Sequence, residues 1–168
     1  MASAPSARRA RLSQSRLKHR ERALIGSGKV DSYNLQRFVD AQAKVMDAVR
    51  SELRAGRKTG HWMWFVFPQV EGLGHSALAK HFAISSPEEA AAYLNHPLLG
   101  PRLIECVGLL LSVEGQAIGD ILGHPDDLKF RSSMTLFSRV ARDSRVFQEA
   151  LDKYFAGEPD RHTVERLR

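Results

Sequence analysis

The segment from His61 to Gln69 carries the residue types of this chain that are best suited to binding a small molecule. Both tryptophans of the chain and two phenylalanines fall within six consecutive positions of it, His-Trp-Met-Trp-Phe-Val-Phe-Pro-Gln. Indoles form flat apolar walls and each carries one N–H donor, while imidazole and amide groups supply directional hydrogen bonds. We therefore predict a planar or sugar-like ligand bound by Trp62, Trp64 and Gln69, with His61 as general acid or base. The alternative for each tryptophan is a place in the hydrophobic core.

A second candidate group lies further along the chain and consists of Lys129, Arg131, Ser132 and Ser133. Ammonium, guanidinium and hydroxyl groups are donors that bind phosphate and carboxylate. If this group faces the aromatic segment across one cavity, the protein binds an anionic small molecule of the nucleotide or sugar-phosphate type, and a hydrolytic reaction there would use His61. The alternative is an ordinary helix start, in which acidic residues complement the helix dipole and the serines bond to the backbone.

The aromatic segment also fits a different class of function, a protein-interaction module without catalysis. In that case Trp62, Trp64 or Phe67 would be exposed and would anchor a protein partner, as aromatic hot spots do. The exposure of the indoles separates the two hypotheses, because a concave site favours a small ligand and a flat exposed patch favours a protein. The residue types alone do not decide whether the domain is an enzyme.

Motifs of the common cofactor and metal sites are absent from the sequence. It contains no Gly-x-Gly-x-x-Gly after a strand, no Walker loop, no His-Glu-x-x-His and no Cys-x-x-Cys. His75 and His81 lie six positions apart with no acidic residue at ligand spacing. We therefore predict neither a cofactor nor a metal site.

Composition predicts a soluble cytoplasmic protein. The chain has 168 residues, of which 43% are hydrophobic, and this suits one domain with a single core. Cys106 is the only cysteine, so no internal disulfide can form and a reducing compartment is indicated. No apolar run approaches the roughly 18–20 residues of a membrane helix, and we predict no membrane partner.

The positive charge of the chain is concentrated at its N-terminus. The net charge is +6, but residues 1–30 contain eight Lys or Arg and one acidic residue, which leaves 17 basic and 18 acidic residues in the rest. Because this segment is also poor in large apolar side chains, we predict a disordered basic arm over 1–30. A nucleic acid is a predicted partner only through this arm. A transit peptide and an inert extension are its other interpretations.

Hydrophobic periodicity predicts an all-α domain over residues 31–157. Apolar residues recur at helical spacing from Leu35 to Leu53, which predicts one long helix. The sequence Ser-Pro-Glu-Glu at 86–89 is a helix start with a capping box, and this helix should end at Asn95 because a His-Pro pair follows.

The whole pattern predicts a compact single-domain bundle of about six helices around the aromatic-rich segment, which is extended or forms a single turn. Further helices are predicted from Pro101, from Asp126 or Asp127 and from near Asp143, and Gly157 with Pro159 ends the last of them. Residues 158–168 are predicted to be a C-terminal tail.

Several segments of the sequence resemble a known bacterial family, domain of unknown function 1810. They are Phe38–Gln42, His61–Gln69, Gly72–Gly74, His96–Leu103 and Lys129–Phe137, and the resemblance spans about residues 33–160. It implies a mainly helical, cytoplasmic protein and brings no established activity. In its helical make-up, aromatic segment and His-Pro-x-Leu turn, the sequence is also loosely similar to helical N-glycosidases that act on ADP-ribose-type compounds, a likeness that assigns no residue.

Overall fold

Helices make up almost all of the regular structure in the computed structural model, which describes residues 30–168. They are α1 (Gln36–Ala43), α2 (Met46–Arg54), α3 (Met63–Val66), α4 (Ala77–His81), α5 (Pro87–Asn95), α6 (Leu99–Leu111), α7 (Ile118–Leu122), α8 (Asp126–Val140), α9 (Arg145–Phe155) and α10 (Arg161–Arg166). An isolated parallel bridge joins Val70 to Ile84. The all-α prediction is confirmed, although the described residues form ten helices, many of them short, where about six were predicted.

Helix α8 lies at the centre of the unit formed by Tyr33–Arg168, and it carries the second candidate group. It packs against α5, α7, α9 and α10, while α6 packs against α2, α5 and α9. The Phe130, Met134 and Phe137 side chains of α8 are fully buried. Because these positions are three and four residues apart, they form one apolar stripe along the helix.

The predicted long helix from Leu35 to Leu53 is two helices, because the chain breaks at residues 44–45 into α1 and α2. Helix α1 packs against α3, whereas α2 packs against α6. Near the end of α1, the buried Gln42 donates its amide N–H to the Phe65 carbonyl (2.7 Å). The break accompanies this change of packing partner, which the apolar spacing of one segment cannot reveal.

The aromatic segment folds as predicted, with the single helical turn α3 between irregular residues. Trp62 is 2% exposed and Phe67 is fully buried, whereas Trp64 is half-buried. Phe67 contacts Phe130 of α8 edge to face, with 4.9 Å between the ring centroids. This contact fixes the segment against the central helix and leaves Trp64 at the edge of the core.

The predicted start of α5 is confirmed, with one change in its hydrogen bonds. The Ser86 hydroxyl accepts from the Glu89 N–H (3.1 Å), and the helix ends at Asn95. The Glu89 carboxylate, however, accepts from the N–H and the hydroxyl of Ser85 (2.8 and 2.6 Å) and does not close a capping box on Ser86. Its other oxygen forms an ion pair with Arg37 (2.7 Å). This carboxylate therefore joins α1 to the start of α5.

The segment 158–168, predicted to be a tail, contains the additional helix α10. Asp160 is its N-cap and accepts from the N–H (2.9 Å) and the hydroxyl (2.6 Å) of Thr163, which is fully buried. The Asp160 N–H donates to Thr135 Oγ1 of α8 (2.8 Å), so these last residues pack on the central helix. Helix α6 also begins two residues before Pro101, because proline is tolerated in a first turn.

The predicted basic arm, residues 1–30, lies outside the described residues except for Val30, so the expectations for it, nucleic-acid binding included, stay predictions. None of the helices between residues 30 and 168 has the length and hydropathy that crossing a membrane requires. The cytoplasmic location inferred from the single cysteine likewise stays a prediction.

Candidate ligand-binding site

A cavity of about 630 Å³ lies between α3, the loop that precedes α4, the first half of α8 and the start of α10. Five of the residues predicted from the sequence line it, namely Trp64, Gln69, Lys129, Arg131 and Ser132. The structure therefore brings residues of the aromatic segment and of the second candidate group to one cavity. Its volume lies in the range of about 300–1,000 Å³ that is typical of small-molecule sites.

Trp64 and Gln69 supply polar groups that are free to contact a ligand. Both side chains are half-buried, and neither the Trp64 indole N–H nor the Gln69 amide forms a hydrogen bond with a described residue. The Gln69 backbone is fixed, because its carbonyl accepts from the Ile84 N–H (2.9 Å). An indole donor beside an amide that both donates and accepts can recognise the polar edge of a planar ring.

Lys129 is held over the Trp64 ring. Its Nζ lies 5.2 Å from the ring centroid and 3.1 Å from Asp126 Oδ1. The other Asp126 oxygen pairs with Lys58 Nζ at 2.8 Å, and the Lys58 side chain is only 8% exposed. Burial acts to raise the pKa of Asp126, but hydrogen bonds from the two lysines outweigh it and lower the pKa. The carboxylate therefore stays ionised at neutral pH and keeps the Lys129 ammonium in place.

Asp126→Asn is expected to lower the melting temperature at neutral pH, because it leaves the buried Lys58 ammonium without its carboxylate partner. The pKa of Asp126 is lower in the folded than in the unfolded protein, so the folded state binds fewer protons at this group. Its stabilisation is thus present above the ordinary pKa of about 3.9 and is lost as the pH falls below it. The difference in melting temperature between wild type and variant should therefore shrink from about pH 5 to about pH 2.5.

The control for this prediction is Asp127→Asn, in the same first turn of α8 but without a lysine partner. It separates the effect of the helix dipole from that of the two lysines. An equal pH dependence in both variants would contradict the role assigned to the lysine pairs of Asp126.

Arg131 lines the cavity, and its guanidinium contacts three groups. Its Nε donates to the Glu158 carbonyl (2.9 Å), its Nη2 donates to the Glu158 carboxylate (3.2 Å), and its Cζ lies 5.6 Å from the centre of the Phe155 ring. The Glu158 side chain is 76% exposed, so solvent screens this ion pair. Arg131 is thus held by a backbone carbonyl and an aromatic ring, and a solvent-exposed carboxylate completes its contacts.

The two serines face different sides of α8. Ser132 lines the cavity, and its hydroxyl donates to the Leu128 carbonyl (3.1 Å). Ser133 is fully buried, does not line the cavity, and has no hydrogen-bond partner for its hydroxyl among the described residues. Adjacent residues of a helix point about 100° apart, so Ser133 faces the core and is not placed to contact a ligand in this cavity.

Ser133→Ala is expected to leave the free energy of unfolding unchanged or to raise it by about 1 kcal/mol, because the buried hydroxyl has no partner to offset its desolvation. Thr135→Val is the matched change, since the Thr135 hydroxyl donates to the Arg131 carbonyl and accepts from the Asp160 N–H (both 2.8 Å). It should lower the free energy of unfolding by about 1–3 kcal/mol. Urea denaturation measures both, and a larger loss at Ser133 than at Thr135 would show that Ser133 has a partner.

The structure places His61 and Trp62 outside the cavity. The Trp62 indole N–H donates to Glu52 Oε2 (2.9 Å), which also accepts from the N–H groups of Thr59 (2.9 Å) and Gly60 (3.0 Å). Burial acts to raise the pKa of Glu52, but these hydrogen bonds outweigh it and lower the pKa. Trp62 therefore ties the loop before α3 to α2. His61 is exposed and is not placed to move a proton for a ligand in this cavity.

Comparison with known proteins identifies the family. A sequence model of the family described as "Protein of unknown function (DUF1810)" matches residues 32–167. The chain belongs to this family. The crystal structure of the conserved hypothetical protein Rv1873 from Mycobacterium tuberculosis is similar, with 58% sequence identity and a TM-score of 0.81 over 82% of this chain and 98% of that one. No protein with a curated description matches. The DUF1810 match includes every residue that lines the cavity.

In this DUF1810 protein the cavity also contains three ionisable side chains that were not predicted to line it, those of His75, Asp160 and His162. Asp160 and His162 come with α10, which was predicted to be a tail. The signal that could have found them is the Asp160 N-cap, three residues before Thr163. His75 had been considered only as a metal ligand, and its ring forms no hydrogen bond with a described residue.

Possible metal ligands and one thiol occur among the described residues of this DUF1810 protein. Within residues 30–168, no group of three or more His, Cys, Asp or Glu side chains could hold a metal ion. Cys106 is fully buried, and burial raises the pKa of its thiol to about 12, so no thiolate is available at neutral pH. The polar groups that line the cavity include an indole, an amide, two imidazoles, an ammonium, a guanidinium, the Asp160 carboxylate and the Ser132 hydroxyl.

Proposed function

We propose that this protein binds a small anionic molecule of the nucleotide or sugar-phosphate type in the cavity lined by Trp64, Gln69, Lys129 and Arg131. One observation carries the proposal: a half-buried indole and an amide that has no partner among the described residues line the same cavity as two cationic side chains. Indole and amide groups suit a ring, while ammonium and guanidinium groups suit its phosphate or carboxylate.

Binding is better supported than hydrolysis. His61, the predicted general acid or base, does not line the cavity. The imidazoles that do line it are those of His75 and His162, so these are the groups available to transfer a proton to a bound ligand. A hydrolytic activity would therefore be lost on substitution of His75 or His162 and kept on substitution of His61.

The alternative, a protein-interaction module, has less support. It requires exposed aromatic anchors, but Trp62 is 2% exposed and Phe67 is fully buried. Trp64 keeps part of its surface, and that surface lines a concave site. A small ligand fits this arrangement better than a flat protein surface does.

The test is isothermal titration calorimetry with adenosine monophosphate and ribose phosphate as the probes. We expect the wild type to bind at least one of them with a Kd between about 1 µM and about 1 mM. Trp64→Ala should weaken binding by about tenfold or more, because it removes the stacking surface. Gln69→Ala, at a half-buried position, tests the same site with a smaller change in packing.

His61→Ala is the matched control, since His61 is exposed and outside the cavity, and it should bind as the wild type does. Absence of binding heat and of any rise in melting temperature with both probes would reject the proposal. Equal losses at His61 and Trp64 would also reject the assignment of the site to this cavity.

A further inference from the structure

Arg131 differs from the other cation of the cavity in how its carboxylate partner is held. The guanidinium is fixed by the Glu158 backbone carbonyl and by the Phe155 ring, neither of which a ligand needs to move. The Glu158 carboxylate accepts only one hydrogen bond from the guanidinium, of 3.2 Å, and its side chain is 76% exposed. An exposed ion pair of this kind contributes little free energy, so another anion can replace the carboxylate at small cost.

Lys129 cannot exchange its partner in the same way. Its carboxylate, that of Asp126, is 18% exposed and is also bound by the nearly buried Lys58. Removing this carboxylate would leave two ammonium groups without their counter-charge, one of them buried. Lys129 therefore contributes positive charge beside Trp64, while Arg131 is the cation that can accept a new anion.

Glu158 can therefore be understood as a stand-in for part of the ligand. We infer that its carboxylate occupies the place on Arg131 that the phosphate of the ligand takes, and that the ligand is a nucleoside monophosphate. This inference rests on the proposed function and deepens it by assigning the phosphate to Arg131 and the ring to Trp64 and Gln69. A guanidinium presents parallel N–H donors to a phosphate, a geometry that one exposed carboxylate oxygen leaves incompletely used.

The charges around the cavity favour a single phosphate. Lys58 and Lys129 share the Asp126 carboxylate, Arg131 pairs with the Glu158 carboxylate, and the Asp160 carboxylate lines the cavity. When Glu158 leaves Arg131, one positive charge is released for the ligand. Asp160 stays in the cavity wall because it caps α10. A chain of phosphates would bring further negative charge toward the Asp160 carboxylate, and the repulsion between them would oppose binding.

The side of the cavity that carries Trp64 and Gln69 indicates which ring the ligand contains. The Gln69 amide has no partner among the described residues, and an amide of this type can pair in bidentate fashion with the donor and acceptor edge of adenine. The neighbouring Trp64 indole offers apolar surface for the ring. The cavity, at about 630 Å³, is large enough for a base, a ribose and one phosphate.

The experiment compares adenosine, adenosine monophosphate and adenosine triphosphate by titration calorimetry at low ionic strength. For the wild type we expect adenosine monophosphate to bind about tenfold more tightly than adenosine, and adenosine triphosphate to bind no more tightly than the monophosphate. Glu158→Gln should tighten monophosphate binding by about two- to fivefold and leave adenosine binding unchanged, because it removes the competing carboxylate. Arg131→Gln should reduce monophosphate affinity to that of adenosine.

The matched control is Glu114→Gln, which makes the same change of charge on an exposed carboxylate that lies outside the cavity and pairs with Lys153 and not with Arg131. Equal effects of Glu158→Gln and Glu114→Gln, or tighter binding of the triphosphate than of the monophosphate, would overturn the inference while leaving the proposed function in place. Absence of binding for all three compounds in the wild type and in Glu158→Gln would overturn both.

Discussion

Gly100→Ala is expected to lower the free energy of unfolding by at least about 3 kcal/mol, the largest effect we expect from a single methyl group in this protein. Gly100 lies in the first turn of α6, is buried, and faces the end of α5. A Cβ atom at this position would overlap the backbone carbonyl oxygen of Leu94. A backbone atom cannot turn aside as a flexible side chain can, so α5 and α6 would have to move apart.

Gly108→Ala provides the matched control in the same helix. A Cβ atom at Gly108 would meet no atom within 4 Å. Alanine there should raise the free energy of unfolding by about 0.5–1 kcal/mol, because glycine in a helix interior loses more backbone entropy on folding. Urea denaturation of the two variants should give changes of opposite sign. Two small changes of the same sign would contradict the close approach of α5 and α6.

Glu89→Ala is the second substitution with a large expected effect, about 3–5 kcal/mol of destabilisation. The Arg37 and Glu89 side chains are 11% and 3% exposed and their ion pair is 2.7 Å long. Alanine at position 89 leaves the nearly buried Arg37 guanidinium without a counter-ion among the described residues. It also removes the acceptor of the Ser85 N–H and hydroxyl groups.

Arg37 explains why the loss should extend beyond one pair. Its guanidinium also donates to backbone carbonyls on both sides of the pair, those of Tyr33, Asn34, His81 and Ala83. It therefore joins the start of α1, the end of α4 and α5 through Glu89. Because these groups share one guanidinium, the Arg37→Ala and Glu89→Ala effects should be strongly non-additive in the double variant.

The control for the Arg37–Glu89 pair is the exposed pair Arg161–Glu165, with side chains 87% and 47% exposed. Glu165→Ala should give no measurable change in melting temperature, since exposed pairs contribute little. If Glu89→Ala and Glu165→Ala lowered the melting temperature by similar amounts, burial would not explain the stabilisation by the Arg37–Glu89 pair.

Local signals in the sequence predicted the helix boundaries that depend on one or two neighbouring residues. Ser86 caps its helix as expected, because its hydroxyl needs only the backbone N–H three residues further on. The ion pair between the Glu89 carboxylate and Arg37 could not be predicted, since the two residues lie 52 positions apart in the sequence. The break between α1 and α2 could not be predicted for a similar reason, because the two helices pack against different, distant helices.

The two tryptophans show where site prediction from the sequence reached its limit. From their residue type, both were predicted to bind a ligand. The structure instead buries Trp62, whose indole N–H donates to Glu52, and only Trp64 lines the cavity. Glu52 lies in α2, ten positions earlier, so no local pattern separates the indoles. The different environments of Ser132 and Ser133 could have been predicted from helical spacing, since Ser133 lies on the same face of α8 as the core residues Phe130 and Phe137.

The most direct test of the cavity as a ligand site uses the two indole N–H signals of the chain in a proton–nitrogen correlation spectrum, assigned with Trp64→Phe. The Trp62 indole is bonded to Glu52, whereas the Trp64 indole has no partner among the described residues and lines the cavity. On titration with adenosine monophosphate, we predict a saturable shift of the Trp64 signal while the Trp62 signal stays in place. A shift of the Trp62 signal alone, or of neither signal at saturating ligand, would contradict the account.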